Sequence, residues 1–162
     1  MQPTLIVQLL VLLTVANGTP VIAKKFLGSA FACPLDGGAL FLDGRPLFGP
    51  SKTIRGIVLS VLATSSCAPA IGLEWKVGAL NAIMAMVGDL FSSFVKRRMN
   101  LPSSSRAIGL DQIPESLLPL AASRLLLPLS ILDIVAAVIL FFIGELILSR
   151  ILFGFQIRDQ PF

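Results

Sequence analysis

Residues 88–98, G-D-L-F-S-S-F-V-K-R-R, decide the fold of this chain. They close a long apolar run with an aspartate, two serines and three cations. On a helix, Asp89, the serines and Lys96 recur at steps of three and four, which places a carboxylate, a hydroxyl and an ammonium on one face. The stretch therefore predicts a membrane helix with a buried polar face at one end.

The same face continues toward the beginning of that helix. Its earlier members are the small residues Gly78, Ala82 and Ala85. Small residues at this spacing let two membrane helices approach closely. An ionised carboxylate within the membrane costs about 2.5–3.5 kcal/mol even on insertion scales, so Asp89 needs a partner. A structural cation such as Lys96 or Arg55 could serve, as could a metal ion or a substrate.

The composition predicts an all-α integral membrane protein that forms a single domain over residues 1–162. Hydrophobic residues make up 55% of the chain and charged residues 14%, and the mean hydropathy is +0.88. Soluble domains have roughly 25% charged residues, so too few remain in this chain to cover a surface in water. The absence of histidine excludes histidine acid–base catalysis and histidine-ligated zinc.

Five apolar segments predict five transmembrane helices. They lie at about residues 3–23, 53–73, 75–95, 114–127 and 131–155. The fourth is short for a hydrocarbon core of about 30 Å and contains Pro119. The first could be a signal peptide, but it lacks a basic start and runs into Lys24 and Lys25, which favours a membrane helix.

The distribution of cations predicts the orientation. Most of them lie in two long loops, at about residues 24–52 and 96–113, or near the C-terminus. The positive-inside rule places these regions in the cytoplasm and the N-terminus outside, so we expect a multi-pass protein of the plasma membrane whose active site faces the cytoplasm. Aromatic residues do not alternate with the cations, which argues against binding of nucleic acid.

The segment before the second helix, residues 49–56, reads G-P-S-K-T-I-R-G. Ser51 and Thr53 are favourable N-cap residues. A helix N-terminus attracts phosphate through its unpaired N–H groups and partial positive charge, and Lys52 and Arg55 add formal charge there. The segment predicts either a phosphate cradle or a basic anchor at the membrane surface.

Three further aspartates lie in the long loops. Asp36 and Asp43, the latter close to Arg45, precede glycines and are expected either as turn residues or as contributors to a site. Asp111 precedes the fourth helix, where it is either a helix cap or a second carboxylate that meets Asp89. Two carboxylates with nearby cations are typical of a Mg²⁺–nucleotide site.

The ordered set of motifs resembles the CDP-archaeol synthase family of CTP-dependent lipid-phosphate cytidylyltransferases, which is similar to the phosphatidate cytidylyltransferases. The motifs are D-G-R at 43–45, G-P-S-K-T-I-R-G at 49–56, G-D at 88–89, S-F-V-K-R-R at 93–98 and L-D-Q at 110–112. The resemblance implies CMP transfer from CTP to an ether-lipid phosphate like 2,3-di-O-geranylgeranylglyceryl phosphate. It implies Mg²⁺ as the cofactor, and CTP, the lipid phosphate and the bilayer as partners.

The resemblance also implies roles for individual residues. Asp89 and Asp111 would hold the metal, and with Lys96 they are the predicted catalytic residues. The predicted nucleotide- and phosphate-binding residues are Ser51, Lys52, Thr53, Arg55, Gly56, Ser93, Arg97 and Gln112. The alternatives are phosphatidate or another lipid phosphate as substrate, a small membrane transporter that uses Asp89 and Lys96, or a non-catalytic lipid-binding protein.

Overall fold

A computed structural model describes residues 1–103, 105 and 107–154 of the chain. Over these residues it contains five α-helices, which confirms the all-α prediction. The helices are α1 (Pro3–Leu27), α2 (Ile54–Ala70), α3 (Trp75–Arg98), α4 (Gln112–Ser123) and α5 (Ile131–Gly154). Three of the described helices, α1, α3 and α5, are long and apolar enough to cross a membrane, and α2 is a shorter apolar helix.

Two helices extend further than predicted. α1 continues through Lys24 and Lys25 to Leu27, and α3 continues through its three cations to Arg98. The predicted loop starts at residues 24 and 96 were therefore wrong. The physical reason is that cations in the last turn interact favourably with the negative end of the helix dipole, so a basic cluster lengthens the helix.

Two helices are shorter than predicted. α2 ends at Ala70 and is followed by a turn in which Gly72 has a φ of +83°. α4 ends at Ser123, whose carbonyl accepts hydrogen bonds from the N–H groups of Leu126 and Leu127 in a tight turn. The predicted end of the fifth helix at residue 155 lies outside the described residues, as do residues 104 and 106 of the second loop.

The predicted small-residue face of α3 is buried against α2 and α4. A Cβ atom on Gly78 would lie 2.5 Å from the carbonyl oxygen of Thr64 in α2. A Cβ atom on Gly88 would lie 2.3 Å from the carbonyl oxygen of Pro114 in α4. Both helices thus pack against the backbone of α3, and the second contact brings the first turn of α4 next to Asp89.

The loop between α1 and α2 is folded back on the start of α2. The N–H of Leu35 donates to the carbonyl of Lys52, and the N–H of Ile54 donates to the carbonyl of Cys33. Asp36 adds three hydrogen bonds, because its carboxylate accepts from the N–H groups of Gly38, Phe48 and Gly49 at 2.9–3.0 Å. These contacts fix the backbone that carries Lys52.

Candidate active site

A cavity of about 870 Å³ lies where α1 and α3 end and α2 and α4 begin. Most of the predicted site residues line it. They are Ser51, Lys52, Thr53, Arg55, Gly56, Asp89, Lys96, Asp111 and Gln112. The residues come from the first loop, three helices and the second loop, so only the tertiary fold brings them together.

Lys52 is the partner of Asp89. Its Nζ donates to both carboxylate oxygens of Asp89 at 2.6 Å. Of the structural partners considered from the sequence, neither Lys96 nor Arg55 forms this ion pair; Arg55 instead donates to the carbonyls of Gly28 and Ala30 beyond the end of α1. Burial acts to lower the pKa of Lys52, but the adjacent Asp89 carboxylate outweighs it and holds that pKa above its ordinary value.

A second buried ion pair joins Lys96 to Asp111 at 2.7 Å. Lys96 also donates to the carbonyl of Ser105 at 2.9 Å. The other oxygen of Asp111 accepts from the N–H of Ala107 at 3.0 Å. Asp111 occupies the N-cap position of α4 but makes no side-chain cap hydrogen bond. The cap alternative was therefore wrong, and Asp111 is a second carboxylate at the cavity.

The start of α2 is capped as expected, and this limits the predicted phosphate cradle. The Thr53 hydroxyl accepts from the N–H of Gly56 at 3.2 Å, and the N–H of Ile54 is bonded to Cys33. Two of the first N–H groups of the helix are thus satisfied within the protein. Attraction of phosphate at this end depends mainly on Lys52, Arg55 and the helix dipole.

Glu115 is a cavity residue to which no role was given from the sequence. Its side chain is buried, with 7% of its surface exposed, and it lies beside the carboxyl group of Asp89 in the same cavity. The sequence could have indicated this residue, because Glu115 lies four residues after Asp111, a spacing that places both on the same side of the start of α4. Glu145 in apolar α5 also lines the cavity, and an ionisable residue in such a helix is itself a sign of function.

Five predicted residues do not line this cavity. They are Asp36, Asp43, Arg45, Ser93 and Arg97. Arg45 and Arg97 line a smaller neighbouring depression of about 250 Å³. Ser93 is buried, while its neighbour Ser92 donates to the carbonyls of Gly88 and Leu110 and so ties α3 to the second loop.

Asp43 holds the first loop against the end of α3. Its carboxylate accepts from Arg98 at 2.7 Å, and the Arg98 guanidinium lies 4.9 Å from the ring centres of both Phe41 and Phe94. Arg45 donates to the carbonyl of Arg98. These contacts are structural support for the loop, which matches the turn-residue alternative for Asp43.

The cavity carries charges of both signs. Its inner end carries the carboxyl groups of Asp89, Asp111 and Glu115 beside the ammonium groups of Lys52 and Lys96. Its outer rim carries Lys24 and Lys25, which are exposed at the end of α1, together with Arg55. A polyanion that carries a metal ion could place its phosphates between the rim and the buried lysines and its metal toward the carboxylates.

The donor set fits Mg²⁺ bound together with a nucleotide. No group of three or more His, Cys, Asp or Glu within the described ranges has the arrangement of a complete protein metal site. Mg²⁺ bound with a nucleotide typically takes only one or two carboxylates, and phosphates and water supply the remaining oxygens. Carboxylates and lysines lining one cavity meet that requirement.

The fold and the site define a helical membrane enzyme with a polar cavity at one end of its bundle. A solved intramembrane enzyme of archaeal membrane lipid biosynthesis has the same fold, with a TM-score of 0.77 and 29% identity, over 88% of this chain and 91% of that one. The family model described as CarS-like, CDP-archaeol synthase, matches residues 63–162.

The sequence relatives agree with the structural comparison. The CDP-archaeol synthase of Pyrobaculum islandicum is 35% identical over 91% of both chains. That of Sulfurisphaera tokodaii is 30% identical over 91% of this chain and 89% of its own, and that of Pyrococcus furiosus is 41% identical over 60% of both. The chain belongs to the CDP-archaeol synthase family, and it is accordingly an enzyme, a lipid-phosphate cytidylyltransferase.

Proposed function

We propose that this chain transfers CMP from CTP to the phosphate of an archaeal ether lipid resembling 2,3-di-O-geranylgeranylglyceryl phosphate. An oxygen of the lipid phosphate attacks the α-phosphorus of CTP, the bond from that phosphorus to the bridging oxygen breaks, and pyrophosphate leaves with the electron pair. The products are a CDP-activated lipid and pyrophosphate. The observation that carries the proposal is one cavity that Lys52, Lys96 and four carboxyl groups line together.

The reaction depends more on the neutralisation of negative charge than on proton transfer. The attacking phosphate oxygen is already ionised at neutral pH, so the lack of histidine is no obstacle. The enzyme must bring two anions together and neutralise the charge that develops on the leaving pyrophosphate. Lys52, Lys96 and Arg55 supply positive charge for that purpose. Without substrate, each lysine is held by an ion pair with a carboxylate, and a phosphate group replaces that carboxylate as its partner on binding.

Mg²⁺ is the proposed cofactor, with Asp89 and Asp111 as its predicted protein ligands. When bound, it would neutralise triphosphate charge and polarise the α-phosphoryl group. Thr53 and Gly56 shape the start of α2 beside the phosphates. Ser51 is bonded to Ser103 at 3.1 Å across the cavity mouth, and Gln112 accepts from the N–H of Gly109 at 2.7 Å and so shapes the second loop.

The remaining predicted binding residues support the site from outside the cavity. Arg97 donates to the carbonyl of Pro102 at 2.8 Å, which holds the beginning of the second loop. Ser93 is buried in the turn of α3 that precedes Lys96. We propose that both residues position the loop and the lysine, and that they do not touch the nucleotide themselves.

We further propose that all five helices lie in the plasma membrane, with the N-terminus outside and the cavity and C-terminus on the cytoplasmic side. The cations of α1 and α3 lie in their last turns, at the cavity end of the bundle, which supports this orientation. α2, with 17 residues, is about 26 Å long, and α4, with 12, is about 18 Å. α4 is therefore too short to cross the core alone and would enter it only partway.

The deciding experiment uses the full chain purified in detergent, with CTP labelled in its α-phosphate, Mg²⁺, and either the archaeal ether-lipid phosphate or phosphatidate. We expect a labelled CDP-lipid from the ether-lipid phosphate. Faster reaction with phosphatidate would overturn the lipid assignment but keep the cytidylyl transfer. No labelled lipid from either substrate, with folded protein, would refute the proposed function.

A further inference from the structure

The first turn of α4 carries a third carboxyl group into the centre of the site. A Cβ atom on Gly88 would lie 2.3 Å from the carbonyl oxygen of Pro114 and 2.8 Å from the backbone nitrogen of Glu115. Glycine at position 88 therefore lets the backbone of α4 touch α3. The contact places the side chain of Glu115 beside Asp89, which lines the same cavity.

Asp111 is used differently from Glu115. One of its oxygens is paired with Lys96 at 2.7 Å, and the other accepts the N–H of Ala107 at 3.0 Å. Each oxygen of Asp111 thus has a partner within the protein, one the lysine and the other a backbone N–H of the second loop. Glu115, in contrast, meets another carboxyl group.

Two carboxyl groups in contact repel each other unless a proton or a cation lies between them. Lys52 contacts Asp89, and Glu145 adds further negative charge near Glu115. The carboxyl groups of Asp89, Asp111 and Glu115 thus lie close together in the cavity, beside Lys52 and Lys96. A hard divalent cation, which prefers oxygen ligands, suits such a cluster of carboxyl groups.

We infer that Glu115 is a ligand of the Mg²⁺ ion that enters with CTP, beside Asp89. The inference rests on the proposed function and adds to it a residue that the motifs do not contain. Glu115 lines the cavity, is almost fully buried and lies beside the carboxylate already assigned to the metal.

The test is the metal dependence of CTP binding in the absence of lipid. CTP affinity of the detergent-purified full chain is measured by equilibrium dialysis, once with Mn²⁺ as the metal probe and once with EDTA. For wild type we expect Mn²⁺ to strengthen binding. For Glu115→Gln we expect this enhancement to fall by about tenfold or more, while the affinity in EDTA stays equal or improves because one negative charge is lost.

Two further variants make the result interpretable. Glu74→Gln removes a carboxylate at the opposite end of α3, where it is exposed and makes no cap hydrogen bond, and should keep the wild-type enhancement. Glu115→Asp keeps the charge, but its side chain is one methylene shorter, so its oxygens lie further from Asp89. This variant should reduce the enhancement even if Glu115→Gln fails to fold. An unchanged enhancement in the Glu115 variants, or equal loss of affinity with and without metal, would overturn the inference. A wild-type chain that binds no CTP in either condition would instead refute the proposed function itself.

Discussion

Lys52 and Asp89 are 37 residues apart in the sequence, yet the lysine Nζ lies 2.6 Å from both carboxylate oxygens. The lysine comes from the loop before α2, and the aspartate comes from the cavity end of α3. Each group is charged in a largely buried place, and each supplies the counter-charge that the other needs there. The pair therefore joins the phosphate-binding segment to the predicted metal site.

Replacing either predicted metal-binding aspartate by asparagine should remove activity without preventing expression. We expect Asp89→Asn and Asp111→Asn each to lower kcat/KM for CDP-lipid formation by at least about 100-fold, because each change removes a charge from the reacting site. The rates are measured on detergent-purified protein. Glu74→Gln is the control, since Glu74 is exposed at the opposite end of α3 and does not line the cavity. Near wild-type rates in both test variants would show that the metal assignment is wrong.

Removing the Lys52 ammonium should mainly weaken the use of CTP. For Lys52→Ala we expect the KM for CTP to rise by about tenfold, because a buried cation beside the phosphates is lost. Initial rates over a range of CTP concentrations measure this effect. Lys76→Ala, at the opposite end of α3, should leave the KM unchanged. An unchanged KM in Lys52→Ala would count against phosphate binding by residues 49–56.

The Lys52–Asp89 pair should also make stability depend on alkaline pH. The pKa of Lys52 is raised above its ordinary value of 10.5, so its stabilising contribution is complete below that pH and is lost as pH rises through the folded-state pKa. Thermal unfolding in detergent should therefore show a fall in Tm above about pH 10.5 that is smaller in Lys52→Met. If the two proteins lose stability in parallel, the pair does not contribute in this way.

Asp36 should matter through the loop that it holds. Although partial burial acts to raise its pKa, hydrogen bonds from the N–H groups of Gly49, Phe48 and Gly38 hold the pKa of Asp36 below its ordinary value of 3.8. Its contribution is therefore present above pH 3.8 and lost as pH falls through the lower folded-state pKa.

Asp36→Asn tests this contribution directly. In wild type both carboxylate oxygens accept backbone N–H groups, so in either orientation the NH₂ group of asparagine would face at least one of these donors. We therefore expect the free energy of unfolding to fall by about 1–3 kcal/mol. The KM for CTP should rise several-fold, since the loop carries Lys52. Tm and CTP kinetics are measured together, with Glu74→Gln, an exposed carboxylate outside this loop, as the control. A wild-type Tm and KM would show that the loop does not depend on Asp36.

The contact of Gly88 with α4 should tolerate no side chain. In Gly88→Ala the new Cβ would lie 2.3 Å from the carbonyl oxygen of Pro114, so α4 must shift and move Glu115 away from Asp89. We expect a lower Tm and at least about a tenfold loss of activity. Gly144→Ala in α5 is the matched control, because a Cβ there has nothing within 4 Å. Equal behaviour of the two variants would contradict the close packing of α3 and α4.

The motif residues and the class of fold could be predicted from the sequence because local patterns carry them. Apolar segments with cations between them indicate membrane helices, and the steps of three and four around Asp89 indicate the buried face of α3. The ends of α1 and α3 could not be predicted as well. Basic residues after an apolar segment predict the start of a loop, whereas in the structure they complete the last turn of each helix.

The sequence could not predict which cation pairs with which carboxylate. Lys96 lies seven residues after Asp89 on the same helix, but in the folded chain it is Lys52 that forms the ion pair with Asp89. Lys96 is left to pair with Asp111, and Arg55 turns toward the end of α1. Such choices depend on distances between elements that are far apart in the chain, and no periodic pattern encodes them.

The sequence alone determined that residues 88–98 form the polar end of a buried helix face, because helical periodicity is a local property and burial follows from the excess of apolar residues. It also determined which ordered motifs accompany that face. Only the tertiary structure decided that Lys52 is the counter-ion of Asp89 and that Glu115 lies beside it. The physical reason is the close approach of the α3 and α4 backbones at Gly88, which depends on packing and not on spacing.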